Sequence, residues 1–90
     1  MTMKMIIAIV NDDDSELVSK AITGAGFRVT TIASTGGFLR KGKTTMLSGV
    51  EDDELEKALN VLRSCFPPQE ASEDHRCTIF VLNISEAHHF

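Results

Sequence analysis

The order of strand-like and helix-like patterns limits the fold of this chain more than any other feature of its sequence. Four short segments rich in Ile, Val, Thr, Phe and Leu are typical of strands: residues 3–10, 27–34, 43–50 and 77–84. Two longer segments repeat apolar side chains at helical spacing, from about Asp14 to Ala25 and from about Asp53 to the Pro67-Pro68 pair. The sequence therefore predicts the order β-α-β-β-α-β in a single domain over residues 1–90.

This order is that of the α+β, ferredoxin-like fold, in which two helices cover one face of a four-stranded antiparallel sheet. The opposite face of the sheet is then left without a cover. A chain of only 90 residues, with no Trp or Tyr and five Phe, has few large side chains with which to build a core. We therefore expect further copies of the chain to cover the bare face, which predicts a homo-oligomer.

Local signals place the ends of the helices. Two pairs have the spacing of a capping box at a helix start: Asp13 with Glu16, and Asp53 with Glu56. Gly24 and Gly26 end the first helical pattern, because glycine favours the left-handed turn that closes a helix. The predicted core face of the first helix consists of Leu17, Val18, Ala21, Ile22 and Ala25.

Charge and cysteine content argue against several classes of function. A net charge of -4 disfavours nonspecific binding to nucleic acid or to acidic membranes, since both depend on a positive surface field. The apolar run Met5–Val10 is much shorter than the roughly 20 residues that span a bilayer. Cys65 and Cys77 lack the spacing of a metal-binding motif, so we expect free thiols in a cytoplasmic protein.

The connection between the second and third strands, residues 35–42, is the candidate ligand site. Its glycine pair, Gly36-Gly37, lets backbone N–H groups converge on a phosphate, because glycine reaches positive φ and has no Cβ. Thr35 adds a hydroxyl, Phe38 an aromatic face for a base, and Arg40 a positive charge. Spacing alone favours a simpler hypothesis, in which the glycines only close a hairpin and their neighbours pack or stay solvated.

A family resemblance favours the ligand site. The motifs that carry it are Gly26-Phe27-Arg28-Val29-Thr30, the stretch from Ala33 to Thr45, Gly49-Val50, Ile79-Phe80-Val81-Leu82 and the final Phe90. Together they resemble the PII-like cyclic di-AMP receptors, the PstA (DarA) family, over nearly the whole chain. The resemblance implies a PII-like homotrimer with nucleotide sites between neighbouring subunits, which reports the ligand to a protein partner.

The same resemblance implies which residues hold the ligand. Carried over residue by residue, they are Arg28, Thr30, Gly37, Phe38, Leu39 and Gly49. The full set of candidate ligand-binding residues adds Val29 from the matching segment, Thr35, Gly36 and Arg40 from the glycine-rich connection, and Lys43 and His89 at positions where the family has other side chains. Thr30 and the backbone N–H groups of Gly37 to Leu39 are expected to meet phosphate or ribose, while Phe38 or Leu39 covers a base. No cofactor is implied beside cyclic di-AMP itself.

Two alternatives stay open, because the chain departs from the family pattern. Gly26, Lys43 and His89 stand where the family has amide side chains able to read adenine edges. The segment before the last strand, about Pro67 to Arg76, is also shorter than in the family. One alternative is a structural or protein-interaction trimer that does not bind cyclic di-AMP, and the other is a sensor of a different small anion.

Other side chains suggest neither a metal site nor catalysis. His88 and His89 are adjacent in sequence and point in different directions, with no third ligand evident, so we expect a surface or interface role. No Ser, Cys or Lys stands beside an evident base, so we expect no enzyme activity. The central strand segments carry Ile, Val, Met and Leu, with only Phe80 aromatic, which disfavours binding of single-stranded RNA on the sheet.

Overall fold

The computed structural model of the chain describes residues 2–33, 42–66, 77–88 and 90. Its elements are β1 (Met3–Asn11), α1 (Asp12–Gly24), β2 (Thr30–Ala33), β3 (Lys43–Glu51), a 3-10 helix (Asp52–Glu54), α2 (Leu55–Ser64) and β4 (Cys77–Ile84). The four strands form one sheet in the order β2-β3-β1-β4. Every neighbouring pair is antiparallel. The predicted ferredoxin-like βαββαβ fold is confirmed.

The core lies between the sheet and the two helices. In β1 the buried side chains alternate, with Ile6, Ala8 and Val10 buried and their neighbours only partly so. The other buried apolar residues are Val18 and Ile22 of α1, Ala58 and Leu62 of α2, Met46 and Val50 of β3, and Phe27. Because alternate residues of a strand point to opposite faces, both helices pack on the same face of the sheet, as predicted.

The end of α1 explains why β2 is shorter than predicted. Gly26 has a φ of +95°, which only glycine adopts readily. Its N–H donates to the Thr23 carbonyl at 3.0 Å, and the Phe27 N–H donates to the Ile22 carbonyl at 3.1 Å, which is a Schellman cap. Phe27 and Ile22 then share the core. Because the Phe27 N–H closes the helix, it cannot start a strand, and β2 begins at Thr30 rather than at Phe27.

The predicted capping boxes are wrong at both helices. Helix α1 begins at Asp12, with Asn11 as its N-cap and no side-chain cap hydrogen bond. The side-chain oxygens of Asn11 and Asp12 accept hydrogen bonds from β3 instead, from Lys43 and Thr44 respectively. At the second site a 3-10 turn precedes α2, again without a side-chain cap.

One position on the predicted core face of α1 is also wrong. Leu17 is 53% exposed, whereas Val18 and Ile22 are buried. Leu17 precedes Val18 by about 100° around the helix, which places it at the rim of the apolar stripe. In α2, Ala58 and Leu62 are buried, and Leu55, Leu59 and Val61 pack against the core.

The face of the sheet opposite the helices, hereafter the open face, is mostly apolar. Alternation and register place these side chains on it: Met5, Ile7 and Ile9 of β1, Thr30 and Ile32 of β2, Thr45, Leu47 and Gly49 of β3, and Phe80 and Leu82 of β4. Phe80 and Leu82 are 52% and 50% exposed in the single chain. Such a contiguous exposed apolar surface is characteristic of an interaction site.

Candidate functional site

The structure brings together the candidate residues from the start of β2 and the middle of β3. Thr30 pairs with Leu47 across the two strands, and Leu47 is two residues from Gly49 on the same open face. Just before β2, the Arg28 carbonyl accepts a hydrogen bond from the Ser48 hydroxyl at 2.7 Å. This contact holds Arg28 beside the Ser48-Gly49 segment, although no regular strand pairing reaches that far.

The side chains of this group differ in exposure in a way that suits a surface site. Arg28 and Thr30 are exposed, whereas Val29 is partly buried and packs against the core. Val29 therefore anchors the segment, and its neighbours present a guanidinium and a hydroxyl to the outside. These two groups are donors suited to phosphate oxygens.

Nothing in the described part of the protomer requires a glycine at position 49. Gly49 lies within β3, where glycine normally weakens a strand, and its φ is not positive. An added Cβ would come no closer than 3.8 Å to the Met3 side chain and 3.9 Å to that of Ile84, which is ordinary contact. A glycine at such a position is typical of a place where a ligand or another backbone approaches closely.

Lys43 lies apart from this group. It is the first residue of β3 and pairs with Asn11 at the far end of β1, whereas Gly49 pairs with Met5. Gly49 is six positions after Lys43 along the strand, which corresponds to a distance of roughly 20 Å at about 3.3 Å per residue. The Lys43 ammonium donates to the Asn11 side-chain oxygen, which holds it at that end of the sheet. The structure therefore separates the described candidates into two groups.

The remaining candidates, Thr35, Gly36, Gly37, Phe38, Leu39, Arg40 and His89, lie outside the described residues. Near the end of the chain, the His88 and Phe90 rings stack with their centroids 6.4 Å apart. The His88 Nε2 atom lies 3.4 Å from a Glu86 carboxylate oxygen. His88 is exposed, in agreement with the surface role predicted for it.

Thr45 has an unsatisfied hydroxyl on the open face. Its side-chain oxygen is fully buried and has no hydrogen-bond partner among the described residues. Its strand neighbours on that face are Ile9 and Ile32, which offer no acceptor. A buried hydroxyl without a partner is destabilising, and such groups in folded proteins call for a specific explanation. No sequence pattern marks Thr45, because a Thr in a strand is ordinary.

Among the residues that the structure describes, no group of three or more His, Cys, Asp or Glu side chains is arranged to hold a metal ion. The described helices likewise include none that is long and apolar enough to cross a membrane. Cys65 and Cys77 are free thiols.

Burial suppresses the acidity of both cysteines. It raises the pKa of the Cys65 thiol. The pKa of Cys77 is raised from 9.0 to about 11, chiefly by burial and then by Cys65 and Asp14, with Lys43 acting in the opposite direction. Neither thiol is therefore in the electropositive setting that activates a nucleophilic cysteine.

We expect Cys77 to react slowly in the folded protein. At pH 8, alkylation of a Cys65→Ser variant by iodoacetamide is expected to be at least about tenfold slower when folded than in urea, because the thiolate is the reactive form and burial, the largest cause of the raised pKa, remains in the variant. Since the folded pKa is the higher one, the associated stability is present below about pH 9 and lost as the pH rises through about 11. Equal rates at pH 8 in the two states would contradict this prediction.

Comparison with known proteins places this geometry in context. The sequence profile of the cyclic-di-AMP receptor family matches residues 3–71. A protein of unknown function from Pediococcus pentosaceus has a TM-score of 0.80 and 28% identity, over 100% of this chain and 99% of that protein. The PII protein of Arabidopsis thaliana, solved with citrate, has a TM-score of 0.73 and 27% identity, over 93% of this chain and 78% of that one. The fold is thus PII-like.

Proposed function

Because the chain belongs to the cyclic-di-AMP receptor family, we propose that it is a PII-like signal-transduction protein whose ligand is cyclic di-AMP. We place the ligand at the junctions between the subunits of a homotrimer. The liganded trimer then acts on a protein partner in the cytoplasm. Its activity is binding rather than catalysis, in keeping with a receptor family.

Beside the family match, one structural observation carries this proposal, which is the grouping of Arg28, Thr30 and Gly49. The hydrogen bond from Ser48 to the Arg28 carbonyl and the pairing of Thr30 with Leu47 bring these positions together from separate strands. The guanidinium and the hydroxyl suit an anionic phosphate, and the open backbone at Gly49 suits close approach of a ligand. Cyclic di-AMP, with two phosphates and two adenines, offers both the charge and the flat surfaces for such a site.

We propose that the second group completes the site from a neighbouring subunit. Lys43 lies roughly 20 Å along β3 from Gly49, by the strand rise of about 3.3 Å per residue. A ligand that contacts Arg28 in one protomer therefore meets the end of the sheet that carries Lys43 most readily in another. The candidates Thr35, Gly36, Gly37, Phe38, Leu39 and Arg40 belong to the connection that ends at Lys43, and His89 belongs to the chain end.

The open face supports a trimer as the functional state. Phe80, Leu82 and Ile32 are 52%, 50% and 43% exposed in the single chain. At about 25 cal/mol per Å² of apolar surface, burial of such a face stabilises association substantially. Assembly through this face also brings the Thr30 and Gly49 positions, which lie on it, to the boundary between subunits.

Isothermal titration of the wild-type protein tests the proposal. Cyclic di-AMP is expected to give saturable heat, with one ligand per chain, while AMP and ATP bind at least about tenfold more weakly, since each carries one adenine where cyclic di-AMP carries two. Light scattering of the same sample is expected to give the mass of a trimer. Saturable heat from none of these adenine nucleotides would overturn the proposal.

A small carboxylate anion is a second candidate ligand. The Arabidopsis PII structure was solved bound to citrate, and it is 27% identical to this chain. Arg28 suits a carboxylate as well as a phosphate. Citrate therefore belongs in the same titration series, and binding of citrate without binding of cyclic di-AMP would favour this second ligand class.

A further inference from the structure

The start of β3 is tied to the junction between β1 and α1 by three hydrogen bonds. The Asp12 backbone N–H donates to the Gly42 carbonyl at 2.9 Å. The Thr44 hydroxyl donates to the Asp12 carboxylate. The Lys43 ammonium donates to the side-chain oxygen of Asn11. We call these five residues, Asn11, Asp12, Gly42, Lys43 and Thr44, the β1–α1 clamp.

The clamp holds the strand from both faces. Lys43 pairs with Asn11 in the strand register and shares the open face with it, whereas Thr44 is buried on the helix side. Gly42 has a φ of +83°, so the chain turns there through a conformation that glycine adopts readily. The turn brings the Gly42 carbonyl to the first N–H of α1, which has no partner within its own helix.

The Asp12 carboxylate does not cap helix α1. Helix α1 shows no side-chain cap hydrogen bond, and Asp13 and Asp14 already place negative charge in its first turn. The carboxylate instead accepts from Thr44, which is 32 residues away in sequence. A charged acceptor makes this a stronger contact than a hydrogen bond between neutral groups.

We infer that Asn11 and Asp12 are positioning residues for the ligand site. They fix the start of β3 through Gly42, Lys43 and Thr44, and so they set the position of Lys43, the described member of the proposed second group of ligand-binding residues. The inference has two parts, and the second part, the effect on ligand binding, rests on the proposed function. Its first part, the anchoring of Gly42 to Thr44, is independent of any ligand.

Hydrogen exchange without ligand tests the first part. Asp12→Ala is expected to speed amide exchange at Lys43, Thr44 and Thr45 at least about tenfold. The free energy of local opening is lower in this variant, because the hydrogen bond from Thr44 to Asp12 is absent and need not be broken. Exchange in the central β1–β4 ladder is expected to stay unchanged. Asp13→Ala is the matched control, since it removes the same charge one residue away from an exposed position.

A conservative variant separates hydrogen bonding from charge. Asp12→Asn keeps a side-chain oxygen acceptor for Thr44 but loses the charge, so its exchange rates are expected to lie between those of Asp12→Ala and the wild type. Equal exchange in Asp12→Ala and Asp13→Ala would overturn the inference. A uniform rise over the whole sheet would also overturn it, since that result means general destabilisation rather than local anchoring.

Titration with cyclic di-AMP tests the second part. Asp12→Ala is expected to raise the Kd about tenfold through loss of a charged hydrogen bond, while Asp13→Ala stays near the wild type and Asp12→Asn lies between the two. Unchanged affinity in Asp12→Ala, with wild-type binding intact, would refute the positioning role. If the wild type itself binds no nucleotide, the proposed function fails, and the exchange result alone decides whether the clamp anchors β3.

Discussion

Leu82→Asp is expected to convert the assembled protein into folded monomers. Leu82 lies on the open face of the edge strand β4, opposite Met5 of β1, and is 50% exposed in the single chain. The monomer therefore tolerates a carboxylate there, because water still reaches it. In the proposed trimer the same carboxylate is buried among apolar side chains, at a cost of several kcal/mol per subunit. Size-exclusion chromatography with light scattering measures the change.

Leu17→Asp provides the control for this prediction. Leu17 is 53% exposed, close to the value for Leu82, but it lies on α1 and away from the open face. The two variants thus share the residue replaced, the residue introduced and the initial exposure. Leu17→Asp is expected to remain assembled. An assembled Leu82→Asp protein, or equal dissociation of both variants, would show that the open face is not the interface.

The strands and helices can be predicted from the periodicity of apolar residues, because most of the chain forms the structure that its local sequence favours. The bounds predicted for the last strand, Cys77–Ile84, agree with the structure, and the first and third strands each extend by one residue beyond the prediction. Phe27 is the instructive exception. Its aromatic side chain is typical of strands, but its N–H closes α1 through the Schellman cap, and the strand begins later.

The errors at the helix starts come from contacts between distant segments. Asp13 and Glu16 have the spacing of a capping box, and a local pattern cannot reveal that Asp12 accepts from Thr44 or that Asn11 accepts from Lys43. Those contacts depend on the register between β1 and β3, and the sequence pattern does not define that register to within one residue.

The candidate site shows the same division between local and distant information. The residue pattern by itself indicates a site in the glycine-rich connection, whereas only the family resemblance implies that Arg28, Thr30 and Gly49 contact the ligand. The structure supplies a physical reason for their grouping, because Thr30 pairs with Leu47 across the strands and the Ser48 hydroxyl, just beyond that pairing, donates to the Arg28 carbonyl. Lys43 lies apart from Gly49 because the two residues are six positions apart on the same strand, a separation that follows from the strand rise alone.

Arg28→Ala is expected to weaken binding of cyclic di-AMP by about 10- to 100-fold while leaving the fold and the trimer intact. A hydrogen bond to a charged group contributes about 1.5–3 kcal/mol, and each 1.4 kcal/mol corresponds to about tenfold in Kd. The exposed Arg28 side chain adds little to the core, and Ser48 bonds only to its backbone carbonyl. Arg63→Ala is the matched control, since it removes an exposed guanidinium from α2, where it contacts Asn60. Titration calorimetry on both variants measures the effect. An equal Kd for the two would mean that the guanidinium of Arg28 does not meet the ligand.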